Sequence, residues 1–271
     1  MDTEPTDFSG GVAVITGAGS GIGAALAVRA VGLGMKVVLA DVHEDAIGAA
    51  SRAFNEAGAE TVAECVDVRD FDQAERLAQR VYGRWGTTTL LVNNAGIMVH
   101  GNTWEIPPTM WDDAVGVNLN GVFYGIRAFV PRMLAQPGVS HVVNVASIAA
   151  LRISEFRSAY CATKSACLVL TETVAREVAE ISGTVRFSAV VPGPVRTMIF
   201  RSAVGTSSDD AGARKNAESA AGLDANGLDP LDAADLILDR AARGDLRIHT
   251  HPAMSEGFIH QRTGELLAGL D

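Results

Sequence analysis

Ser147, Tyr160 and Lys164 are the residues whose types and spacing point most directly to chemistry. In Tyr160-Cys161-Ala162-Thr163-Lys164 the two end residues are a helical turn apart, which puts them on one face of a helix. An ammonium beside a phenol favours the phenolate and draws the tyrosine pKa down from about 10. The result would be a general acid/base able to exchange a proton with an alcohol or a carbonyl. Ser147 closes the apolar run His141-Val142-Val143-Asn144-Val145, where its hydroxyl can donate to the same substrate oxygen. Taken singly, each residue has a plain structural explanation: a half-buried tyrosine, a solvated lysine, a serine in a turn. The chain has only three tyrosines and three lysines. A Tyr-x-x-x-Lys pair therefore arises in roughly 3% of shuffled sequences, and the added serine lowers this to about 0.2%. We therefore read the three together.

A second constellation lies near the N-terminus. Thr16-Gly17-Ala18-Gly19-Ser20-Gly21-Ile22-Gly23 follows the apolar run Val12-Ala13-Val14-Ile15 and opens a helical stretch. Such a turn lets the backbone approach a pyrophosphate, with the helix N-terminus supplying amide donors and a positive dipole end. Gly23 would let that helix lie close to the sheet. Asp41 ends the next apolar run, where a carboxylate can accept both hydroxyls of an adenosine ribose and repel a 2′-phosphate. Its simpler role would be to cap the following turn. Its neighbours Ala40, Val42 and His43 include no Lys or Arg. Asp67-Val68 is placed to meet the adenine edge, and Asn93-Asn94-Ala95-Gly96 to line the carboxyl edge of the sheet.

The elements that must position these residues alternate along the chain. Short runs that are apolar on both faces, as buried parallel strands are, occur near residues 12, 37, 61, 90, 141, 185 and 246. Helical patterns lie between them, including a long one over 111–134 and another over 159–181. This predicts one α/β domain spanning 1–271: a doubly wound parallel sheet with helices on both faces, a Rossmann fold. A polar tail covers 1–9. Two tracts break the rhythm, 148–158 and the long Gly-, Ser- and Ala-rich stretch 198–228, which is expected to be an irregular substrate lid. Asn118, polar within the helix over 111–134, is expected to break the backbone ladder and hold a water near Lys164. Asn120 stands as an alternative for that role.

Composition excludes several other classes. The 22 basic and 32 acidic residues give a net charge of −10, with the arginines scattered, so nucleic acid is not expected as a partner. No apolar run approaches the roughly 18 residues of a bilayer-spanning helix, and the acidic N-terminus is unlike a secretory signal. No membrane partner is expected. The cysteines Cys65, Cys161 and Cys167 form no CxxC motif, which fits reduced thiols in the cytoplasm. His249-x-His251 lacks a third ligand, so no metal is expected.

With these residues in view, the chain resembles the short-chain dehydrogenase/reductase family over essentially its whole length. The resemblance runs through the glycine turn, Asp41, Asp67-Val68, Asn93-Asn94-Ala95-Gly96, Asn118, Ser147 and Tyr160-x-x-x-Lys164. It continues into Pro192-Gly193-Pro194-Val195-Arg196-Thr197. It implies Asn118, Ser147, Tyr160 and Lys164 as a catalytic tetrad, with Lys164 also holding the nicotinamide ribose. It implies a cofactor site drawn from Gly17, Ser20, Gly21, Ile22, Gly23, Asp41, Asp67, Val68, Asn94, Ala95, Gly96, Tyr160, Lys164, Pro192 and Gly193. Val195 and Thr197 would bind the nicotinamide carboxamide, and the assembly would be a homotetramer paired through the long helices. Thr89 stands where relatives often carry an acid before the fourth strand, and Ala146 where they often carry a serine.

The function expected is an NAD(H)-dependent oxidoreductase that interconverts a secondary alcohol and a ketone. Two alternatives are an NADPH-dependent reductase of β-ketoacyl groups, against which Asp41 speaks, and a non-catalytic NAD-binding regulator. Met98, Ile148, Leu151, Ile153, Phe156, Met198, Ile199 and Phe200 are expected to line a mostly apolar pocket. Arg152 and Arg157 would leave room for an anionic group at its mouth.

Overall fold

Val12 to Ile15 form most of β1 (Val12–Thr16), a strand buried on both faces at the centre of the molecule. The computed structural model describes residues 5–206, 210–268 and 270, so residues 1–4 of the polar tail and 207–209 of the 198–228 tract lie outside the described residues. From β1 the chain continues through α1 (Gly21–Gly32), β2 (Lys36–Asp41), α2 (Glu44–Glu56), β3 (Thr61–Cys65) and α3 (Phe71–Trp85). Next come β4 (Leu90–Asn93), β5 (Val99–His100), α4 (Pro108–Val115), α5 (Gly121–Ala135), β6 (Ser140–Val145) and α6 (Ser158–Ala179). The chain ends with β7 (Val185–Val191), β8 (Val204–Gly205), α7 (Asp210–Asn226), α8 (Pro230–Ala242), β9 (Arg247–His249) and α9 (Pro252–Leu267).

Seven strands form one parallel sheet in the order β3-β2-β1-β4-β6-β7-β9. Alternate strand residues feed two cores. Ala13, Ile15, Val37 and Leu39 pack with α1, α2 and α8 on one face. Val12, Val14, Val38 and Leu91 pack with α3, α5 and α6 on the other. The chain builds outward from β1 in one direction to β3, then reverses at β4. That reversal opens a crevice at the carboxyl ends of β1 and β4, where a doubly wound fold places its ligand. The expected fold class is the one observed. Among the described residues no helix is long and apolar enough to cross a membrane.

Four local features depart from the sequence expectations. The helical pattern over 111–134 is not one helix: a π-helical turn, Gly116–Asn120, separates α4 from α5 and carries Asn118. The ladder break expected at Asn118 is therefore present. The tract 198–228 is not irregular throughout, because it contains α7 and the short strand β8, which pairs with β5. The α7 sequence has helix formers such as Ala, Arg, Lys and Glu but no apolar stripe, so its helicity rests on propensity and not on periodicity. The C-terminal helix α9, largely exposed, has no counterpart in the sequence reading. Finally, the tail is tied down within 5–9: the Thr6 amide donates to the Ala242 carbonyl at 2.6 Å, and Phe8 is buried edge-on to His141.

Candidate active site

The glycine turn is shaped by contacts that leave no room for side chains. Gly17 has φ 64°, and a Cβ there would lie 2.8 Å from Ala95 Cα. A Cβ on Gly23 would lie 2.2 Å from the Gly17 carbonyl oxygen, so this glycine serves close packing. Thr16 and Asn94 lock the turn to β4. The Asn94 side-chain amide donates to the carbonyls of Thr16 and Gly17, at 3.0 and 3.1 Å, and Thr16 Oγ1 accepts the amides of Asn94 and Ala95. At the start of α1, Ser20 makes no side-chain cap, so the first amides of the helix face the crevice without that acceptor. Asp41 Oδ2 accepts the Gly19 amide at 2.9 Å and Oδ1 accepts the His43 amide at 3.0 Å. The capping role and a position facing the turn are thus held by one carboxylate.

One cavity of about 960 Å³ runs from this turn to the other constellation. Gly17, Ser20, Gly21, Ile22 and Asp41 line its first end, with Asp67 and Val68 beside them. Asn94, Ala95 and Gly96 line the middle, and Pro192, Gly193, Val195 and Thr197 lie opposite Ser147, Tyr160 and Lys164. Gly23 and Asn118 are not on its wall. The Asp67 carboxylate is engaged by Arg69 through its backbone amide and guanidinium, which holds its pKa below the usual carboxylate range. Arg69, Asp113 and His43 also line this end, and no motif in the sequence marked them. Arg69 is the only Lys or Arg lining this end among the described residues, and Asp67 and Asp113 already bind it.

At the other end Ser147 begins a 3₁₀ turn, its Oγ accepting the Ala149 amide at 3.1 Å. Tyr160 and Lys164 share the inward face of α6, each buried. Lys164 Nζ donates to the Val145 carbonyl at 2.8 Å and sits 5.8 Å from the centre of the Tyr160 ring. Here the expected electrostatics are corrected. Burial pushes the Tyr160 phenol above its ordinary value, opposed by a hydrogen bond with Ser147, and it pushes the Lys164 ammonium below its own. For the phenol, desolvation outweighs both that hydrogen bond and the smaller pull of the Arg157 charge.

Asn118 is fully buried. Its amide holds both polar groups of Ile97 and donates to Thr163 Oγ1 at 3.1 Å. The apolar wall expected from sequence divides in two. Met98, Ile148, Met198, Ile199 and Phe200 line the large cavity, whereas Leu151, Ile153 and Phe156 line a smaller neighbouring pocket. Thr89, which stands where relatives often carry an acid, makes a contact at the start of β1: its Oγ1 accepts the Val12 amide at 3.2 Å. Among the described residues no group of three or more His, Cys, Asp or Glu could hold a metal ion.

Uncapped helix amides, a glycine cradle that a Cβ would fill, and a carboxylate at the tip of β2 fit a dinucleotide in extended form. Known proteins agree with that geometry. Residues 11–207 match the family model described as short chain dehydrogenase, and the chain belongs to the short-chain dehydrogenase/reductase family of oxidoreductases. It is 34% identical to an uncharacterized oxidoreductase of Staphylococcus haemolyticus, over 86% of this chain and 91% of that one. A short-chain dehydrogenase/reductase from Burkholderia phymatum in complex with NAD superposes with a TM-score of 0.92, at 34% identity, covering 97% and 96% of the two chains. A metagenomic short-chain oxidoreductase in complex with NADP superposes at 0.72, with 29% identity and coverage of 89% and 97%.

Proposed function

We propose that this chain is an NAD(H)-dependent oxidoreductase that interconverts a secondary alcohol and a ketone of hydrophobic character. The observation that carries the reading is the shared cavity: Ser147, Tyr160 and Lys164 converge at one end, while the glycine turn and Asp41 lie at the other. A bound nicotinamide ring would accept or supply the hydride. In oxidation Tyr160, as phenolate, takes the hydroxyl proton while Ser147 donates to the same oxygen. In reduction the buried phenol is already in its acid form and returns that proton to the carbonyl oxygen. Lys164, held by the Val145 carbonyl, binds the nicotinamide ribose hydroxyls and keeps positive charge near the phenolate when it forms. Gly17, Ser20, Gly21 and Ile22 bind the pyrophosphate through backbone amides, Asp41 the adenosine ribose, and Val195 and Thr197 the carboxamide. Asn118 positions the Ile97 segment and a water that carries the proton outward.

The same reading includes a lid over 198–228, in which Met198, Ile199, Phe200 and α7 close over substrate, and a homotetramer paired through α5 and α6. Support for the pairing is Phe123 and Val169, left exposed on those helices; sedimentation should give four protomers, and a monomer at micromolar concentration overturns it. The test of the activity is NADH fluorescence and absorbance against a panel of hydrophobic secondary alcohols and ketones. Coenzyme binding without turnover of any panel member would overturn it.

A further inference from the structure

Arg157 is a cation buried without an anion. It precedes α6, three residues before Tyr160, and is 7% exposed. Its guanidinium lies 4.7 Å over the Phe200 ring, and one nitrogen donates to the Lys215 carbonyl at 3.3 Å and to Ser219 Oγ at 2.6 Å, both on α7. Its Nε and other terminal nitrogen make no hydrogen bond among the described residues, and no carboxylate there reaches it. A charge placed this way is unfavourable unless something compensates it. Burial pushes the Arg157 pKa down, and the charge of nearby Arg152 pushes in the same direction.

Arg152 lines the same cavity. Its guanidinium lies 4.8 Å over the Phe258 ring and makes no ion pair among the described residues. Ser154 lies between them in sequence and also lines the cavity; it is 8% exposed, and its Oγ has no hydrogen-bond partner. The cavity's own acids are elsewhere. Asp41, Asp67 and Asp113 line the glycine-turn end, and Glu155, outside this cavity, is paired with Lys215. Two cations, with the buried and unpartnered Ser154 hydroxyl beside them, therefore line an apolar chamber next to Tyr160 that contains no negative side chain.

We propose that the substrate carries a carboxylate held by Arg157, Arg152 and the Ser154 hydroxyl, so that the substrate class is a hydrophobic hydroxy acid and the corresponding keto acid. The inference rests on the hydride-transfer reading for the reaction, but its anion site can be tested without turnover. The planar guanidinium fork suits a carboxylate through two parallel hydrogen bonds. The apolar wall of Met98, Ile148, Ile199 and Phe200 would take the hydrocarbon body, with the alcohol carbon directed to Tyr160.

The test has two arms. In the first, isothermal titration compares 4-isopropylbenzoate with 4-isopropylbenzamide, neither of which can react, on the enzyme saturated with NADH. The acid should bind at least about tenfold tighter. Arg152→Gln, a change at a half-buried position, should bring the two within about threefold. Arg157→Lys, which keeps the charge and loses the fork, should weaken the acid and spare the amide, with NADH affinity reporting that the fold is intact. Equal binding of acid and amide, binding of neither, or a preference that survives both variants overturns the proposal. In the second arm, 4-(1-hydroxyethyl)benzoate and its methyl ester are compared as substrates with NAD. Faster oxidation of the ester overturns the carboxylate proposal and leaves the oxidoreductase reading standing. Tight binding of the acid with no turnover of either compound, or of the wider alcohol panel, overturns the oxidoreductase reading and leaves the anion site standing.

Discussion

Asn118 grips both polar groups of Ile97: Oδ1 accepts the Ile97 amide at 2.8 Å, and Nδ2 donates to the Ile97 carbonyl at 3.0 Å. The side chain is carried by the π turn at Gly116–Asn120. Gly96, the residue before, is the tight neighbour of this contact. A Cβ there would lie 3.3 Å from Lys164 Nζ and 3.4 Å from Asn118 Oδ1. Asn118 thus links the segment after β4 to the helix that carries Tyr160 and Lys164.

Asn118→Leu should therefore cost stability and rate together. Two part-buried backbone groups lose their partner, at about 1 kcal/mol each, and the segment beside Lys164 loses its anchor. Thermal melting should fall by several degrees, and kcat should fall while the affinity for NADH changes little. An unchanged melting temperature would show that the Ile97 contacts carry no weight.

Tyr160→Phe should remove turnover and leave coenzyme binding nearly intact, because only the proton-transfer group is lost. Lys164→Ala should damage both. The raised phenol pKa sets the sign of the pH profiles. Oxidation needs the phenolate, so its kcat/KM should climb as pH rises toward the alkaline range. Reduction needs the phenol, which is protonated near neutrality, so its rate should be flat there and fall only at high pH. The two directions measured from pH 6 to 10, a range set about the ordinary phenol value, check this; an oxidation rate independent of pH would remove Tyr160 from the step.

Asp41 should set coenzyme choice. Hydrogen bonds to it from ribose hydroxyls would be charge-assisted, worth roughly 1.5–3 kcal/mol each, and the same carboxylate would repel a 2′-phosphate. Arg69, the cation at this end of the cavity, is held by Asp67 and Asp113. Asp41→Ser should weaken NAD and narrow the gap to NADP, read as kcat/KM with both coenzymes. A wild type that prefers NADP, or a variant with unchanged preference, would reduce Asp41 to its contacts with Gly19 and His43.

His141 makes the fold sensitive to acid. Burial and the charge of Arg186 hold its pKa at about 3. The Ser188 hydroxyl donates to the Asp245 carbonyl at 2.6 Å, so His141 Nε2, 2.8 Å from that hydroxyl, is its donor, and the ring is neutral. The unfolded chain takes up a proton below about 6.5 that the fold refuses. Stability is therefore full above that value and is lost as pH falls toward 3, by about 1.4 kcal/mol per pH unit. His141→Gln should lower the melting temperature at pH 7 yet lose less of it on acidification to pH 5; equal losses in both proteins would contradict the assignment.

Hydrogen exchange should slow in α7 when coenzyme and substrate are added together, because closure over substrate would protect its amides. Exchange unchanged by the pair of ligands would remove the lid.

The sequence was most legible where local pattern and chemistry coincide. Continuous apolar runs marked the sheet, and Gly17, Asp41, Ser147, Tyr160 and Lys164 fall on one cavity, since each sits at a strand end or a helix start where spacing determines position. What was hidden depends on tertiary contact. Arg69 and Asp113 come together from distant segments, and nothing near either residue announces the pair. Leu151, Ile153 and Phe156 were expected in the main cavity, but the turn beginning at Ile148 directs them to a neighbouring one. The phenol's pKa was misread for a similar reason: spacing reveals the lysine, whereas the depth of burial belongs to the folded whole. Helix α7 has no apolar stripe to reveal it, because the face it turns inward includes Gly212, Asn216 and Ser219 as well as Leu223.

The tether between Arg157 and α7 would couple recognition of an anion to enclosure. The guanidinium spends one nitrogen on Lys215 and Ser219, so any outward swing of α7 strips it of both acceptors and leaves its charge barer than before. With α7 in place the tether fixes the guanidinium, so an arriving anion would find its strongest grip on the two remaining nitrogens when the helix is closed, and by linkage its binding would favour closure. Capture and sealing would then be reciprocal, each lowering the barrier to the other, and release of product would have to reopen the same latch.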